Sequence, residues 1–361
     1  MGFRSTVNNP YSRWMDDRAP ETDVAVSSRI RLARALQGFP FPHRLPPERA
    51  EEVVHAVRLA IGDEQVRRAA GAMEIATLAE LAPVERQILV EKHLASPAVL
   101  EEGNEQGRAV ALSEDETVSI LVNEEDHIRL QVLLPGLQLE AAWRLADRVD
   151  DALEKTLDYA YDERLGYLTA CPTNVGTGLR ASVMVHLPAL ALTGQARELL
   201  TAVSKLGMTV RGLYGEGTEA KGYLFQLSNQ VTLGYGEEEI VKNLTGVTLK
   251  VIEQERAARR LLLKESGALI EDRSWRALGL LKHARRLSSD EALRFITDIR
   301  LGVDLGIIKN LPIRVLNELM VLTRPACVTK AGGEEGLTPG QRDELRAKLV
   351  REKLADFKIG D

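Results

Sequence analysis

Four short segments place arginines where a chain can bring a cation close to an anion. In Ser27-Ser28-Arg29-Ile30-Arg31 two arginines share a face if the segment is extended, because strand side chains alternate with a period of two. Arg129 follows the acidic run Asn123-Glu124-Glu125-Asp126-His127. Arg180 comes directly after the turn Gly176-Thr177-Gly178, and Arg211 opens Gly212-Leu213-Tyr214-Gly215-Glu216-Gly217. An arginine fork matches phosphate oxygens, and glycine lets backbone N–H groups approach an anion closely. A polyphosphate is one partner this set would serve; a scatter of surface salt bridges is the other reading. The chain has no Gly-x-x-x-x-Gly-Lys-Ser/Thr loop and no His-Arg-Asp run, so a nucleotide site here is of another kind.

The carboxylates ask for a complementary chemistry. Glu124-Glu125-Asp126 is a dense acidic turn, and Glu216 lies between two glycines. A guanidinium acceptor would explain two separated glutamates. With a pKa above about 12 it is a poor nucleophile at neutral pH, and it must be aligned and lose a proton to attack phosphorus. A carboxylate can hold the fork bidentately and accept that proton. Taken alone, the acidic turn is equally a solvated surface feature. Cys171 precedes Pro172 and the Gly-rich turn; a thiolate there could pair with a cation, and a small buried hydrophobe is the commoner fate of a free cysteine.

The elements that must position these residues fall into two parts. The 361 residues suggest about two domains at roughly 150 residues each, and a hydrophobic fraction of 44% is ample for real cores. Short β-rich runs are predicted at Val24–Leu32, Thr117–Val122 and Ile128–Leu134, with a hairpin turn at Ser228-Asn229-Gln230. Helical periodicity is predicted over Pro47–Ala70, Pro83–Leu94 and Leu139–Leu157. After Glu237 nearly everything is helical: Glu238–Leu263, Ser274–Arg286, Asp290–Leu301, Pro312–Leu322 and Gln341–Leu354. The expected organisation is an extension at 1–23, a mixed α+β domain at 24–258 and an all-helical domain at 259–361. A net charge of -6 and 4% aromatics argue against a nucleic-acid surface. Two cysteines make no disulfide framework, no apolar run approaches a membrane span, and the N-terminus lacks an apolar signal region, so a cytoplasmic protein without membrane or nucleic-acid partners is expected.

Together these residues resemble the phosphagen kinases, the family of creatine and arginine kinases. Cys171-Pro172-Thr173-Asn174-Val175-Gly176-Thr177-Gly178 is similar to that family's signature, and Asn123 to Arg129, Ser27 to Arg31 and Arg211 to Thr218 are further matches. The resemblance spans roughly residues 24–258 and implies an antiparallel sheet flanked by helices. It implies that Arg29, Arg31, Arg129, Arg180 and Arg211 contact ATP phosphates. The neighbouring Ser27, Ser28, Ile30, Ala181, Ser182, Val183, Gly212, Leu213, Tyr214 and Gly215 fall in the same nucleotide segments, Glu216 among them. Glu125 and Glu216 would hold and deprotonate the guanidinium, with Cys171 against it. His93 resembles a nucleotide-contacting histidine, and Met184 stands where small-molecule members carry a histidine at the adenine. Mg²⁺ would be held mainly by ATP oxygens and water, with no dedicated protein metal site.

Two departures bear on the acceptor. Only about two dozen residues precede the Ser-x-Arg-x-Arg segment, where small-molecule members have a whole helical domain, and a helical domain follows instead. That layout is similar to the bacterial protein-arginine kinases. Thr338-Pro339-Gly340-Gln341 reads as a helix start, and Arg342, Asp343, Arg346 and Ala347 resemble that family's phosphoarginine-binding run. The resemblance implies protein substrates with exposed arginine, a zinc-binding activator, a Clp-type AAA+ unfoldase, a heat-shock repressor and a homodimer. The alternatives are a kinase of free guanidino compounds and a non-catalytic phosphoarginine adaptor.

Overall fold

The computed structural model describes residues 3–101, 103, 105–212, 221–333 and 336–360. Its centre is an antiparallel sheet of eight strands: β1 (Ala25–Arg34), β2 (Met73–Thr77), β3 (Ala109–Ser113), β4 (Val118–Val122), β5 (Ile128–Pro135), β8 (Leu179–His186), β9 (Met208–Gly212) and β10 (Leu224–Asn229). They lie in the order β2-β3-β4-β5-β1-β8-β10-β9, and a two-strand ribbon, β6 (Tyr161–Asp162) with β7 (Gly166–Tyr167), stands apart. The helices are α1 (Phe3–Asn8), α2 (Pro47–Ile61), α3 (Glu64–Ala70), α4 (Pro83–Glu91), α5 (Leu139–Glu154), α6 (Pro188–Leu192), α7 (Ala196–Lys205), α8 (Glu237–His283), α9 (Ser289–Asp304), α10 (Ile313–Leu322), α11 (Pro325–Gly332) and α12 (Pro339–Ala355).

Alternation divides the sheet into two chemically different faces. Ile30 and Leu32 of β1, Leu130 and Val132 of β5, Ala181 and Val183 of β8 and Leu227 of β10 join one core with Ala142, Ala146, Val149 and Leu153 of α5. The opposite face is apolar only at its margins. Val110, Leu112 and Leu121 pack with Leu89 and Leu94 at one side, while Leu133, Met184 and Leu224 join the helical region's core at the other. Arginines and glutamines occupy the middle.

Several predicted elements change. The Pro47–Ala70 helix is two helices, divided at Gly62, and Asp63 caps the second by accepting from Gln65 N–H. The predicted break between Leu263 and Ser274 is a kink rather than a loop: α8 spans 47 residues as two helical stretches that meet at Ser266, which leaves helical angles (φ -138°, ψ 27°). A Ser-Gly pair bends a helix without ending it, and buried Ile270 keeps the following turn on the core. Residue 258 lies inside this helix. The predicted hairpin at Ser228-Asn229-Gln230 is also absent, since β10 runs through Asn229 and pairs with β8 and β9. Asn229 is buried; its Nδ2 donates to Leu179 O and Val231 O, and its Oδ1 accepts from Ala181 N–H. Those bonds turn residues 230–232 away from the sheet and toward the Gly176 loop. α12 starts at Thr338, whose backbone N–H donates to Gln341 Oε1 at 2.8 Å.

Candidate active site

Cross-strand pairing assembles the arginines. Arg31 pairs with Gln131 on β5 and with Arg180 on β8; Arg29 pairs with Ser182, and Arg211 with Gln226. Directly paired residues share a face, so cations from distant segments gather on the polar side of the sheet. Arg29, Arg31, Arg129 and Arg211 line one groove of about 1040 Å³, with Gln131, Gln226, His93 and Gly212. Such crowding of like charges is costly. Burial and the Arg129 charge push Arg29 down to about 10. Loss of solvent, then Arg29 and Arg129, press Arg31 well below the usual arginine range, and its buried Nε has no hydrogen-bond partner. Arginine stays charged in proteins, so this is an unsatisfied cation facing a cavity, which a polyphosphate would satisfy.

Arg29 is held by Gln226 Oε1 at 2.7 Å and by Ser182 Oγ at 3.4 Å. Behind it, Ser27, His93, Leu133, Ser182, Met184 and Gln226 enclose a small void. His93 has φ +63°, and its carbonyl accepts from Gln131 Nε2 at 2.9 Å. Its ring lies edge-on to Trp14, 5.5 Å between centroids. Burial, with the charges of Arg29 and Arg324, pushes His93 down to about 3, so it faces the groove as a neutral imidazole. Ser28, Ile30, Ala181 and Val183 lie outside the groove. Their side chains belong to the far face, where Ser28 Oγ donates to Gly136 O and the other three join the core. Leu213, Tyr214, Gly215 and Glu216 lie outside the described residues.

The acidic turn meets the groove at Arg129. Its Nη1 donates to Glu124 at 2.5 Å and its Nη2 to Glu125 at 2.8 Å. Glu124 also accepts from Ser96 Oγ. Glu124 and Glu125 line a second cavity of about 830 Å³ together with Ala170, Cys171 and Pro172. Asp126 is fully buried; its Oδ1 accepts from Ala170 N–H at 2.6 Å and so ties the Cys171 loop to the acidic turn. Burial lifts Asp126 to about 6. His127 accepts from Leu36 N–H at Nδ1, which leaves Nε2 to donate to Pro40 O. Cys171 Sγ lies 3.1 Å from Thr173 Oγ1.

The Cys171–Gly178 loop is braced by two arginines. Arg180 donates from Nε to Asn174, from Nη1 to Asn229 O and Gln230 O, and from Nη2 to Thr173 O. In this structure, therefore, Arg180 clamps the loop rather than lining the groove. Arg34 donates from Nη1 to Thr177 O and Ala33 O and pairs through Nε and Nη2 with Asp150. Gly178 has φ +64°, and a Cβ there would stand 2.5 Å from Ala33 O and 2.6 Å from Arg34 Nη1. Gly178→Ala should therefore destabilise the protein by about 2 kcal/mol in urea unfolding; a loss under about 0.5 kcal/mol would show that the loop yields.

On α12 the four residues separate. Arg342 lines the arginine groove itself. Arg346 is buried, donating to Thr323 O and Leu287 O at 2.7 Å and to Asp343 at 2.6 Å, and Ala347 is in the core. Gln131, Gln226, Glu91, Arg34 and Asp150 were not singled out in the sequence. Alternation marks the two glutamines as neighbours of Arg129 and of the face opposite Leu227. A charge within an apolar periodicity, as at Glu91 and Asp150, was the available sign for the others.

Two family profiles match the chain: "ATP:guanido phosphotransferase, C-terminal catalytic domain" over residues 52–258, and "Protein-arginine kinase McsB C-terminal domain" over residues 267–360. A protein-arginine kinase of Pelotomaculum thermopropionicum is 57% identical over 359 residues, which is 99% of this chain and 100% of that one. One of Desulforamulus reducens is 56% identical over 354 residues, 98% of each. The crystal structure of lombricine kinase superposes with a TM-score of 0.56 at 25% identity, over 69% of this chain and 72% of that one. The fold is thus the phosphagen-kinase sheet followed by a helical region, and the chain belongs to the protein-arginine kinase family of ATP:guanido phosphotransferases.

Proposed function

We propose that this chain transfers the γ-phosphoryl group of ATP to the guanidinium of arginine residues in proteins. The observation that carries the reading is the meeting of an undersatisfied arginine groove with the Glu125–Cys171 cavity at Arg129. ATP lies with its phosphates on Arg29, Arg31, Arg129 and Arg211, and with its base toward His93 and Met184. Mg²⁺, held mainly by ATP oxygens and water, would lower the charge that the arginines must meet. The acceptor arginine enters beside Cys171, where Glu125 holds its fork; Glu216, outside the described residues, is the second carboxylate assigned to it. A guanidinium nitrogen attacks the γ-phosphorus in line, its proton passes to a glutamate, the bond to the β-phosphate oxygen breaks, and ADP leaves. The groove arginines stabilise the charge spread over the transferred group.

The test uses labelled ATP with an arginine-rich protein or free arginine, read by mass spectrometry under non-acidic conditions. Label is expected on protein arginine, with a rate about 10²- to 10⁴-fold lower for Glu125→Gln. Label on free arginine alone would establish the small-guanidino reading instead, and none on either would favour a binding adaptor.

Several further points belong to this proposal. Arg342 and Asp343 bind phosphoarginine and make the enzyme allosteric, while buried Arg346 and Ala347 hold the start of α12 in place behind them. The division at residues 23 and 258 separates an extension, a catalytic domain and a helical domain that dimerises. The protein acts in the cytoplasm during stress with a zinc-binding activator, a Clp-type unfoldase and a heat-shock repressor. Among the described residues no helix is long and apolar enough to cross a membrane.

A further inference from the structure

The arginine groove has two walls, and only one is the sheet. The other is made by Val84, Gln87, Val90 and Glu91 of α4 with Pro325, Ala326 and Thr329 of α11. The regions matched by the two family profiles therefore meet across the same cavity.

The contact between α4 and α11 is specific. Glu91 is buried, with 7% of its surface exposed. One of its oxygens accepts from Ala326 N–H and the other from Cys327 N–H, each at 3.0 Å. Proline at the first helical position has no N–H, and Val328 N–H already bonds Arg324 O. Glu91 thus satisfies both remaining first-turn donors of α11, where the capping residue, Arg324, carries no side-chain acceptor. Lys330 adds a bond to Glu85 at 3.0 Å, nearly two turns earlier on α4. From the other side Arg346 holds Thr323 O, just ahead of α11. These bonds fix where Arg324 emerges. It lines the groove, and its charge acts on both Glu91 and His93.

We propose that Glu91 is a positioning residue of the nucleotide site: by clamping the first turn of α11 onto α4, it makes α11 a wall of the groove and delivers Arg324 to a bound nucleoside di- or triphosphate. The inference rests on reading the groove as a nucleotide site. It assigns the helical region a direct part in nucleotide binding. A glutamine at position 91 can accept from only one of the two N–H groups and turns its own NH₂ toward the other. The first turn of α11 then loses its fixed seat, and Arg324 with it.

Titration of the full-length protein with Mg-ADP by calorimetry tests this. Glu91→Gln and Arg324→Met should each weaken ADP binding about tenfold, and the double variant should be no weaker than either alone, because both remove one interaction. In turnover, KM for ATP should rise while KM for the acceptor protein stays within about twofold. Glu91→Asp should recover part of the affinity. Folded single variants with wild-type ADP affinity would overturn the proposal, as would losses that multiply to about a hundredfold in the double variant. If Glu91→Gln fails to fold, Arg324→Met decides alone, and unchanged affinity refutes it. A wild-type protein that binds ADP but phosphorylates no arginine would refute the proposed function and leave this inference standing.

Discussion

Replacing Arg31 with methionine should make the nucleotide-free protein more stable and almost inactive. Two facts set opposite signs on the two effects. The Arg31 cation stands among Arg29, Arg129 and Arg180, and its buried Nε has no partner. Glu124 offsets only part of this crowding, so removing the charge is stabilising, by about 1 kcal/mol once the remaining solvent contact of the side chain is allowed for. The same cation lines the groove with a donor that no protein group meets, so a transferring phosphoryl group there would find it available. Its loss should lower kcat/KM by about 10²- to 10³-fold. Calorimetry with and without ADP reads both at once: the variant should melt higher than wild type alone and gain less from nucleotide. A lower melting point without ligand, or activity within threefold of wild type, would show that Arg31 is structural. Arg31→Lys should recover little, because a compact ammonium does not reproduce the planar fork.

Asp150→Ala should be the most destabilising single change in the catalytic region. Arg34 is about 1% exposed, and its side chain lies over the Tyr167 ring, 3.6 Å from the centroid. Asp150 Oδ2 accepts from both Nε and Nη2 of Arg34, at 2.9 and 2.6 Å, and Tyr159 bonds the other oxygen. Breaking one side of a buried pair leaves a charge with nothing to meet it and costs about 3–5 kcal/mol. Glu237, 3.8 Å away, is too far to take over without movement of α8. The effect should extend to chemistry, since Arg34 also holds Thr177 O in the loop beside Cys171. Urea unfolding gives the first number and phosphoryl transfer at low denaturant the second. An unfolding free energy within about 1 kcal/mol of wild type would sink the argument. Asp150→Asn, which keeps one acceptor, should lose less.

Much of this site can be read from the sequence because its residues are contiguous in pattern. Arg29 and Arg31 reach one face by alternation alone, and the Cys171–Gly178 signature places the loop next to them. The same contiguity misleads at Ser28, Ile30, Ala181 and Val183. They stand inside matching segments, and the period of two sends their side chains to the core. Arg346 illustrates a second limit. Helical spacing puts it on a face with Arg342, but the carbonyls of Thr323 and Leu287, from remote turns, draw it inside. The hairpin expected at Asn229 fails for a related reason: its neighbours' backbone groups are spent on the Gly176 loop, which no local pattern announces. Glu91 and Asp150 look like ordinary charges on amphipathic helices. Their roles depend on what α11 and Arg34 bring to them, and those partners are 235 and 116 residues away.

The bond between Arg129 and Glu125 carries one more consequence. A guanidinium seated on Glu125 is what the proposed reaction requires of its acceptor, and the chain itself supplies one in Arg129. Seen from Arg129, Glu124 and Glu125 are an anion occupying the place where phosphate would sit. On the proposed reading, each half of the site therefore holds a likeness of the other half's substrate. On that reading the two substrates would exchange partners with this internal pair. Such an internal pair would keep both charges matched until both replacements arrive.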